Sequence, residues 1–183
     1  METLQGQFLI ATQQMPDPRF REQVVYICAH NEEGAMGLVI NRPIDGISLA
    51  DIFREADIEP PGHALPPVYA GGPVETNAAF VLFSSDYGAR SCMPVGRDVF
   101  LSRDIAVLED IARGFGPKNY MVLLGYSGWA PGQIEEELSN CGWLVLPADA
   151  DLIFHTQDDL KWKNAAGRYG IDISTFSDLL GNA

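Results

Sequence analysis

Short apolar runs, rich in β-branched and aromatic residues and separated by glycine, proline and polar residues, recur along the chain, and each predicts a strand. The runs fall at residues 6–12, 24–31, 34–41, 68–70, 79–84, 98–102, 120–125 and 143–146. The second and third runs are joined across residues 31–34, a spacing that predicts a β-hairpin. Residues 24–28 are nearly all apolar, so we expect this strand to be covered on both faces.

Helical spacing of apolar residues predicts helices over residues 48–57, 102–113, 131–139 and 158–168. Ser48 and Asp51 resemble a capping box for the first helix, and Ser102 or Asp104 can cap the second. Residues 171–183 are expected to form a loosely packed tail. Strands and helices alternate irregularly, and no repeat or linker divides them. We therefore predict a single α+β domain over 1–183 with a mixed sheet.

Acidic side chains outnumber basic ones by 25 to 12, which gives a formal net charge of −13. Binding to duplex DNA depends on cations that neutralise phosphates, so we expect no direct binding to duplex DNA. No run of about 18 apolar residues occurs, so we expect no membrane-spanning helix. The first residues lack the basic start of a signal peptide, and the cytoplasm is the expected compartment.

The cysteines and histidines do not form a recognisable metal-binding pattern. Cys28, Cys92 and Cys141 are odd in number and widely spaced, which argues against a disulfide framework and a structural zinc site. Cys28 and His30 lie two apart on one predicted strand and should share a face, as two ligands of a partial metal site. No third ligand is suggested by spacing. We predict neither a metal nor a cofactor.

The segment from Gly125 to Trp129 reads Gly-Tyr-Ser-Gly-Trp and places a serine between a strand and a helix. A nucleophile elbow has this location, but its pattern Gly-x-Ser-x-Gly fails at Trp129. A serine hydrolase that uses Ser127, with His155 as base and an acid such as Asp149, is therefore the alternative hypothesis. The favoured interpretation is a tight turn between glycines, so that the chain is more consistent with a protein that is not an enzyme.

Three further motifs receive structural interpretations. Gly71, Gly72 and Pro73 predict a turn with positive φ rather than a phosphate loop. The run of glutamates at 135–137 is interpreted as the solvated start of a helix, where negative charge suits the helix dipole. Asp149 and the nearby Asp151 are interpreted as a loop that ends a strand.

Several longer motifs together resemble one family over almost the whole chain. They are GQFLIA, Asp17-Pro18 with Phe20, VVYICAHNEEGAMGLVINRP, GGPV, SRD, LGYSGW with GQIEEEL, Trp143, and PAD followed by IF. In this order they resemble the YqgE/AlgH family of bacterial proteins. The resemblance implies an α+β domain whose bifurcated sheet curls into a pseudo-barrel with flanking short helices. It also implies a link to transcription regulation or to a resolvase-like nuclease of the RuvX/YqgF type, and brings no catalytic residues or cofactor.

The leading hypothesis is a binding or regulatory protein that acts through a protein partner. The expected contact surface collects polar and aromatic residues at strand ends and turns: Asp17, Phe20, His30, Asn41, Gly72, Tyr126, Trp129 and Gln133. Trp129 is expected to anchor the partner at the surface, and Trp143 to lie in the core. Because the chain is strongly acidic, the partner should be basic, and a nucleic-acid-processing protein of the RuvX/YqgF type is the first candidate.

Overall fold

The computed structural model describes residues 3–89, 91–140 and 142–176. The strands are β1 (Gln7–Ala11), β2 (Val24–Asn31), β3 (Gly34–Val39), β4 (Val68–Ala70), β5 (Val74–Ser84), β6 (Met93–Pro94), β7 (Val99–Ser102), β8 (Tyr120–Trp129) and β9 (Trp143–Pro147). The helices are α1 (Leu49–Glu55), α2 (Ile105–Arg113), α3 (Gln133–Ser139), α4 (Ala150–His155) and α5 (Asp158–Gly167), and a 3-10 turn covers Pro18–Phe20.

Within these ranges all strands join one curled sheet in the order β6-β7-β5-β8-β3-β2-β1-β9, and β4 pairs with β8. The β4–β8 pair is parallel and the other ladders are antiparallel, so the predicted mixed α+β fold is confirmed. The β2–β3 hairpin is confirmed as well. None of the helices in the described ranges is long and apolar enough to cross a membrane.

Strand β8 is where the sheet divides. Its first half pairs with β5 and β4, while Ser127 and the two residues after it pair with β3. Gly125, between the two halves, has a φ of 72°, a conformation that only glycine adopts without strain. One strand can therefore contribute to both halves of the bifurcated sheet, because a single residue redirects it.

The helices cover the sheet in three apolar clusters. Helix α5 packs against β1 and β2 over the inner cluster, which contains Tyr26 and Trp162. Helices α1 and α2 contribute Phe53 and Leu108 to a second cluster. Helix α3 contributes Ile134 to the third, which covers the outer face of β1, β2, β3 and β9. The inner and outer faces of the same strands are therefore both buried, as the apolar run at residues 24–28 predicts.

Local capping follows the sequence closely. Ser48 and Asp51 form the predicted capping box at the start of α1, and Asp104 caps α2 through the amide of Ala106. Gly114 ends α2 with a φ of 80°. Caps depend on residues a few positions apart, so the sequence carries this information directly.

Four predictions of local structure are wrong. The Gly125–Trp129 segment is not a turn but the second half of β8. Asp149 and Asp151 do not lie in a loop: Asp149 caps α4, a helix that the apolar spacing did not reveal. The tail is packed where it is described, because Ile173 is only 1% exposed, while residues 177–183 lie outside the described ranges. Helix α3 begins at Gln133, after a left-handed Gly132, rather than at Pro131.

Candidate functional site

Ser127 and His155 are the two residues on which a hydrolase would depend. Their side chains form hydrogen bonds with different groups and not with each other. Ser127 is 2% exposed, and its hydroxyl donates a long hydrogen bond of 3.5 Å to the carbonyl of Gly71. His155 is exposed in α4, with Nδ1 3.2 Å from Asp151 Oδ1 and Nε2 2.9 Å from Asn119 Oδ1. A catalytic serine needs an accessible hydroxyl bonded to its base. The arrangement does not support the alternative hydrolase function.

Asp149, the proposed third member, is also engaged elsewhere. One of its oxygens accepts the Leu152 amide at 2.9 Å, and Arg168 binds Asp149 and Asp151 together. The hydrogen bond from Arg168 is the largest influence that holds the pKa of Asp151 below its usual value, followed by the one from His155. These side chains therefore form an exposed ionic cluster that joins α4 to the end of α5.

The outer face of the sheet holds a carboxylate between two tryptophans. Glu137 Oε2 accepts the indole N–H groups of Trp129 at 3.0 Å and of Trp143 at 2.9 Å. Its other oxygen accepts from Gln133 Nε2 at 2.9 Å. The indole rings meet edge to face, with 6.4 Å between centroids. Because Glu137 lies one helical turn after Ile134, it is on the same side of α3 as the apolar residues, and its carboxylate therefore faces the sheet.

Two expectations change as a result. Trp129 is only 6% exposed and belongs to the core, so the expected surface anchor is wrong in its placement. The glutamate run is not a solvated helix face either. Glu136 is exposed, but Glu135 and Glu137 face the sheet and are held by His30 and by the indoles.

His30 joins β2 to α3 and to the start of the chain. The Leu4 amide donates to Nδ1 at 3.0 Å, so the neutral ring carries its proton on Nε2 and donates it to Glu135 Oε1 at 3.1 Å. The prediction that His30 shares a face with Cys28 is wrong, because a bulge between Ile27 and Ala29 shifts the alternation of the strand. Cys28 points into the inner cluster, where burial raises the pKa of its thiol. In the described residues no group of three potential metal ligands occurs.

The segment before β2 is held against this outer face. Asp17 accepts the Arg19 amide at 2.9 Å and pairs with the Arg19 guanidinium at 2.6 Å, which keeps the pKa of Asp17 below its usual value. Phe20 packs edge to face against Trp143, with 5.6 Å between centroids. Asn41 fixes the end of the segment, because it accepts the Val24 amide at 3.0 Å and donates to the Glu22 carbonyl at 2.9 Å.

A pocket of about 140 Å³ lies between this segment and the end of α3, and we name it the Phe20 pocket. It is lined by Met15, Pro16, Asp17, Phe20, Glu137, Asn140, Gly142 and Trp143. Its walls are mostly apolar, and the anchored carboxylate of Glu137 lies among them. A carboxylate has about four acceptor positions, and Glu137 uses three, two on Oε2 and one on Oε1. One acceptor position on Oε1 therefore has no partner among the described residues.

The structure separates the predicted contact residues into three groups. Asp17 and Phe20 line the Phe20 pocket, while four others hold the elements around it: Trp129 and Gln133 bond Glu137, His30 bonds Glu135 of α3, and Asn41 bonds the end of the segment before β2. Gly72 approaches β8 so closely that a Cβ atom would lie 2.1 Å from the Tyr126 carbonyl carbon, which explains the glycine pair. Tyr126 lies apart from the pocket and packs against Phe80 near the inner cluster.

The sequence analysis did not identify Met15, Glu137, Asn140 or Trp143 as residues that line a pocket. The available signal was the spacing of α3. Ile134 and Leu138 define an apolar face, and Glu137 lies next to it rather than opposite. A carboxylate on an apolar helix face is buried on folding and needs hydrogen-bond donors there, and the two tryptophans supply them.

Comparison with known proteins gives consistent results. The AlgH-like family model matches residues 8–174. A UPF0301 protein of Desulfotalea psychrophila is 47% identical over 181 residues, covering 99% of this chain and 95% of that protein. A UPF0301 protein of Hahella chejuensis is 45% identical over 183 residues, covering 100% of this chain and 98% of that one.

Solved structures agree with these matches. The AlgH protein from Pseudomonas aeruginosa superimposes with a TM-score of 0.80 at 39% identity, covering 100% of this chain and 98% of that one. A Corynebacterium diphtheriae protein has a TM-score of 0.79 at 21% identity, with 97% and 93% covered, which shows a shared fold. Because the family model spans nearly the whole chain and the close relatives cover it from end to end, this chain belongs to the YqgE/AlgH family.

Proposed function

We propose that this chain is a non-enzymatic regulatory protein that acts through a protein partner, and that the Phe20 pocket receives a basic side chain of that partner. The observation that carries the proposal is the carboxylate of Glu137. It is fixed by two indole N–H groups and one amide, it lines the pocket, and it retains an acceptor position.

The shape and chemistry of the pocket suit a lysine or arginine. A volume of about 140 Å³ admits one long side chain. Met15, Phe20 and Trp143 can cover its methylene groups, while its charged end reaches Glu137. The aromatic rings add an attraction for a cation that approaches their faces, on the order of 1 kcal/mol.

The charge of the whole chain supports the same partner. A net charge of −13 accelerates the approach of a basic surface, and the pocket then determines how long the complex lasts. The same charge disfavours direct contact with duplex DNA, so any effect on transcription is exerted through the partner. A resolvase-like nucleic-acid-processing protein of the RuvX/YqgF type is the first partner to test.

The experiment is titration calorimetry of this chain with a purified RuvX/YqgF-type protein. Asn140 is exposed on the pocket rim, so Asn140→Arg places a positive charge where the partner's cation must enter. Asn164→Arg is the matched control, because Asn164 is exposed on α5, which covers the opposite face of the sheet. We expect Asn140→Arg to weaken binding by at least about tenfold and Asn164→Arg to change it much less.

A second variant tests the apolar wall. Phe20→Ala should increase the dissociation rate with little effect on the association rate, since it removes contact area rather than charge. Circular dichroism of the variant verifies that the fold is retained. Equal affinities of Asn140→Arg and Asn164→Arg, with tight binding by the unmodified chain, would place the partner on another surface. The absence of any binding rejects the nuclease-type partner.

A further inference from the structure

A second pocket lies at the seam where the curled sheet nearly closes. Here the turn between β6 and β7 meets the start of β1 and the beginning of α4 without strand pairing, and Gln5 Nε2 donates across the gap to the Pro94 carbonyl at 3.1 Å. The seam pocket measures about 350 Å³. It is lined by Gly6, Tyr26, Gly96, Arg97, Asp98, Val99, Ala148, Asp149, Ala150 and Ile153. This volume is at the lower end of about 300–1,000 Å³ that is usual for small-molecule sites.

At its inner end is a tyrosine hydroxyl without a protein partner in the described ranges. Tyr26 is 1% exposed, and its Oη forms no hydrogen bond with any residue in the described ranges. Burial raises the pKa of Tyr26, so the phenol remains protonated and offers a donor and an acceptor. Gly96 keeps the hydroxyl uncovered, because a Cβ atom there would lie 2.8 Å from Oη. A hydroxyl that opens into a pocket and has no protein partner is free to form a hydrogen bond with a ligand.

The rim of the pocket carries one free charge of each sign. Arg97 and Asp98 are exposed neighbours, and among the described residues neither takes part in an ion pair or a side-chain hydrogen bond. Asp149 also lines the pocket, but its carboxylate is bound by Arg168 at 2.5 Å and by the Leu152 amide at 2.9 Å. The groups without any partner among the described residues are therefore the Arg97 guanidinium, the Asp98 carboxylate and the Tyr26 hydroxyl, while Asp149 is held through Oδ1.

We propose that the seam pocket binds a small zwitterion of the amino-acid class, with its carboxylate on Arg97, its ammonium group on Asp98 and a polar group on Tyr26 Oη. A simple anion would leave the Asp98 carboxylate facing it, and a simple cation would face Arg97, whereas a zwitterion satisfies both. The small residues Gly6, Ala148 and Ala150 leave space for its carbon skeleton. This site is independent of the Phe20 pocket, from which it is separated by the sheet.

The first test uses the twenty common L-amino acids as probes, added singly to ¹⁵N-labelled protein. At least one should shift the amide signals of Gly6, Gly96 and Ala148, while acetate and ethylamine, each with one of the two charges, should shift them far less. The proposal is overturned if no amino acid shifts these signals, or if acetate or ethylamine acts as strongly as the best amino acid.

The second test separates binding from stability. Tyr26→Phe removes a hydroxyl that has no protein partner, so it should weaken binding of that amino acid by at least about tenfold while the melting temperature stays equal or rises. Tyr69→Phe is the matched control, because Tyr69 Oη donates to Asp158 Oδ2 at 3.1 Å. It should lower the melting temperature and leave the affinity unchanged. Asp98→Asn should weaken binding without affecting folding. Unchanged affinity in both Tyr26→Phe and Asp98→Asn would refute the site.

Discussion

Two charged side chains are withdrawn from solvent on opposite faces of the same strands, and they are stabilised in different ways. On the outer face, Glu137 of α3 accepts the N–H groups of Trp129 and Trp143. On the inner face, Lys161 of α5 has a side chain only 2% exposed, and it donates to the Ile40 carbonyl at 2.8 Å and to Asp158 at 2.9 Å. Its ammonium nitrogen also lies 5.2 Å from the centre of the Tyr69 ring.

The difference lies in what each partner loses when the charge is removed. The two indole N–H groups sit in buried rings and have no other acceptor among the described contacts. Of the two partners of Lys161, the buried Ile40 carbonyl loses its donor, but Asp158 keeps the hydroxyl of Tyr69, and 27% of its side chain is exposed to water. A buried donor without an acceptor costs about 1–3 kcal/mol, whereas a partly hydrated carboxylate loses less. The carboxylate should therefore stabilise the fold more than the ammonium group does.

The largest expected effect is that of Glu137→Leu. It leaves both indole N–H groups without an acceptor, so we expect the free energy of unfolding to fall by about 3 kcal/mol. Urea unfolding monitored by tryptophan fluorescence measures this loss. Glu136→Leu, one position earlier on the exposed side of α3, is the control and should change stability by less than about 0.5 kcal/mol. Similar losses in the two variants would show that the indoles do not depend on the carboxylate.

Lys161→Met should have a smaller effect, a loss of about 1–2 kcal/mol at neutral pH, because only one buried group, the Ile40 carbonyl, loses its partner, while methionine fills the space and Asp158 stays solvated. Desolvation lowers the pKa of Lys161, and the hydrogen bond with Asp158 partly offsets this. Between the lowered folded pKa and the unfolded value of about 10.5, the unfolded chain binds more protons. Stability of the unmodified protein relative to Lys161→Met should therefore rise with pH up to that value.

Urea unfolding of both proteins across this alkaline range provides the measurement. A loss in Lys161→Met as large as that in Glu137→Leu would remove the distinction between the two faces. If the stability of the unmodified protein relative to Lys161→Met instead falls with rising pH, the hydrogen bond with Asp158, and not burial, determines the direction in which the pKa of Lys161 is shifted.

Arg168→Gln extends the comparison to an exposed ionic cluster, whose contribution to stability is present above about pH 3.8 and is lost in acid. The pKa of Asp151 is lowered chiefly by Arg168, so the unfolded state binds more protons as pH falls below about 3.8, and stability is lost there. Arg168→Gln already lacks this contribution to stability at neutral pH. Its acid-unfolding midpoint should therefore lie at a slightly higher pH than that of the unmodified protein. Arg54→Gln is the control, because the pKa of Asp51 is lowered chiefly by Ser48. Equal midpoints in all three proteins would contradict the prediction.

The smallest effect belongs to Ser127→Ala, which removes a buried but uncharged polar group. The hydroxyl makes one long bond of 3.5 Å to Gly71, so we expect a loss of no more than about 0.5 kcal/mol. A fluorophosphonate probe should not label Ser127 in the native protein. Labelling that disappears in His155→Ala would instead establish a hydrolase.

Local sequence patterns predicted the strands, the hairpin and the helix caps, since these depend on the alternation of apolar and polar residues and on residues a few positions apart. The same signals misled at Gly125, where a glycine between apolar residues was interpreted as a turn. In the structure the left-handed residue redirects β8 without ending it, because β3 is available to pair with Ser127 and Trp129. Whether a glycine ends a strand or bends it depends on a partner strand that is distant in sequence.

The sequence by itself determined the family, the mixed sheet with its short helices, the acidic charge and the absence of a complete elbow around Ser127. Only the tertiary structure decided which polar residues are buried, because burial depends on contacts between segments far apart in the chain. It placed Glu137 between two indoles that come from β8 and β9, and a one-residue bulge turned His30 away from Cys28 towards Glu135. A single bulge reverses the face of every residue after it, and no local pattern records that shift.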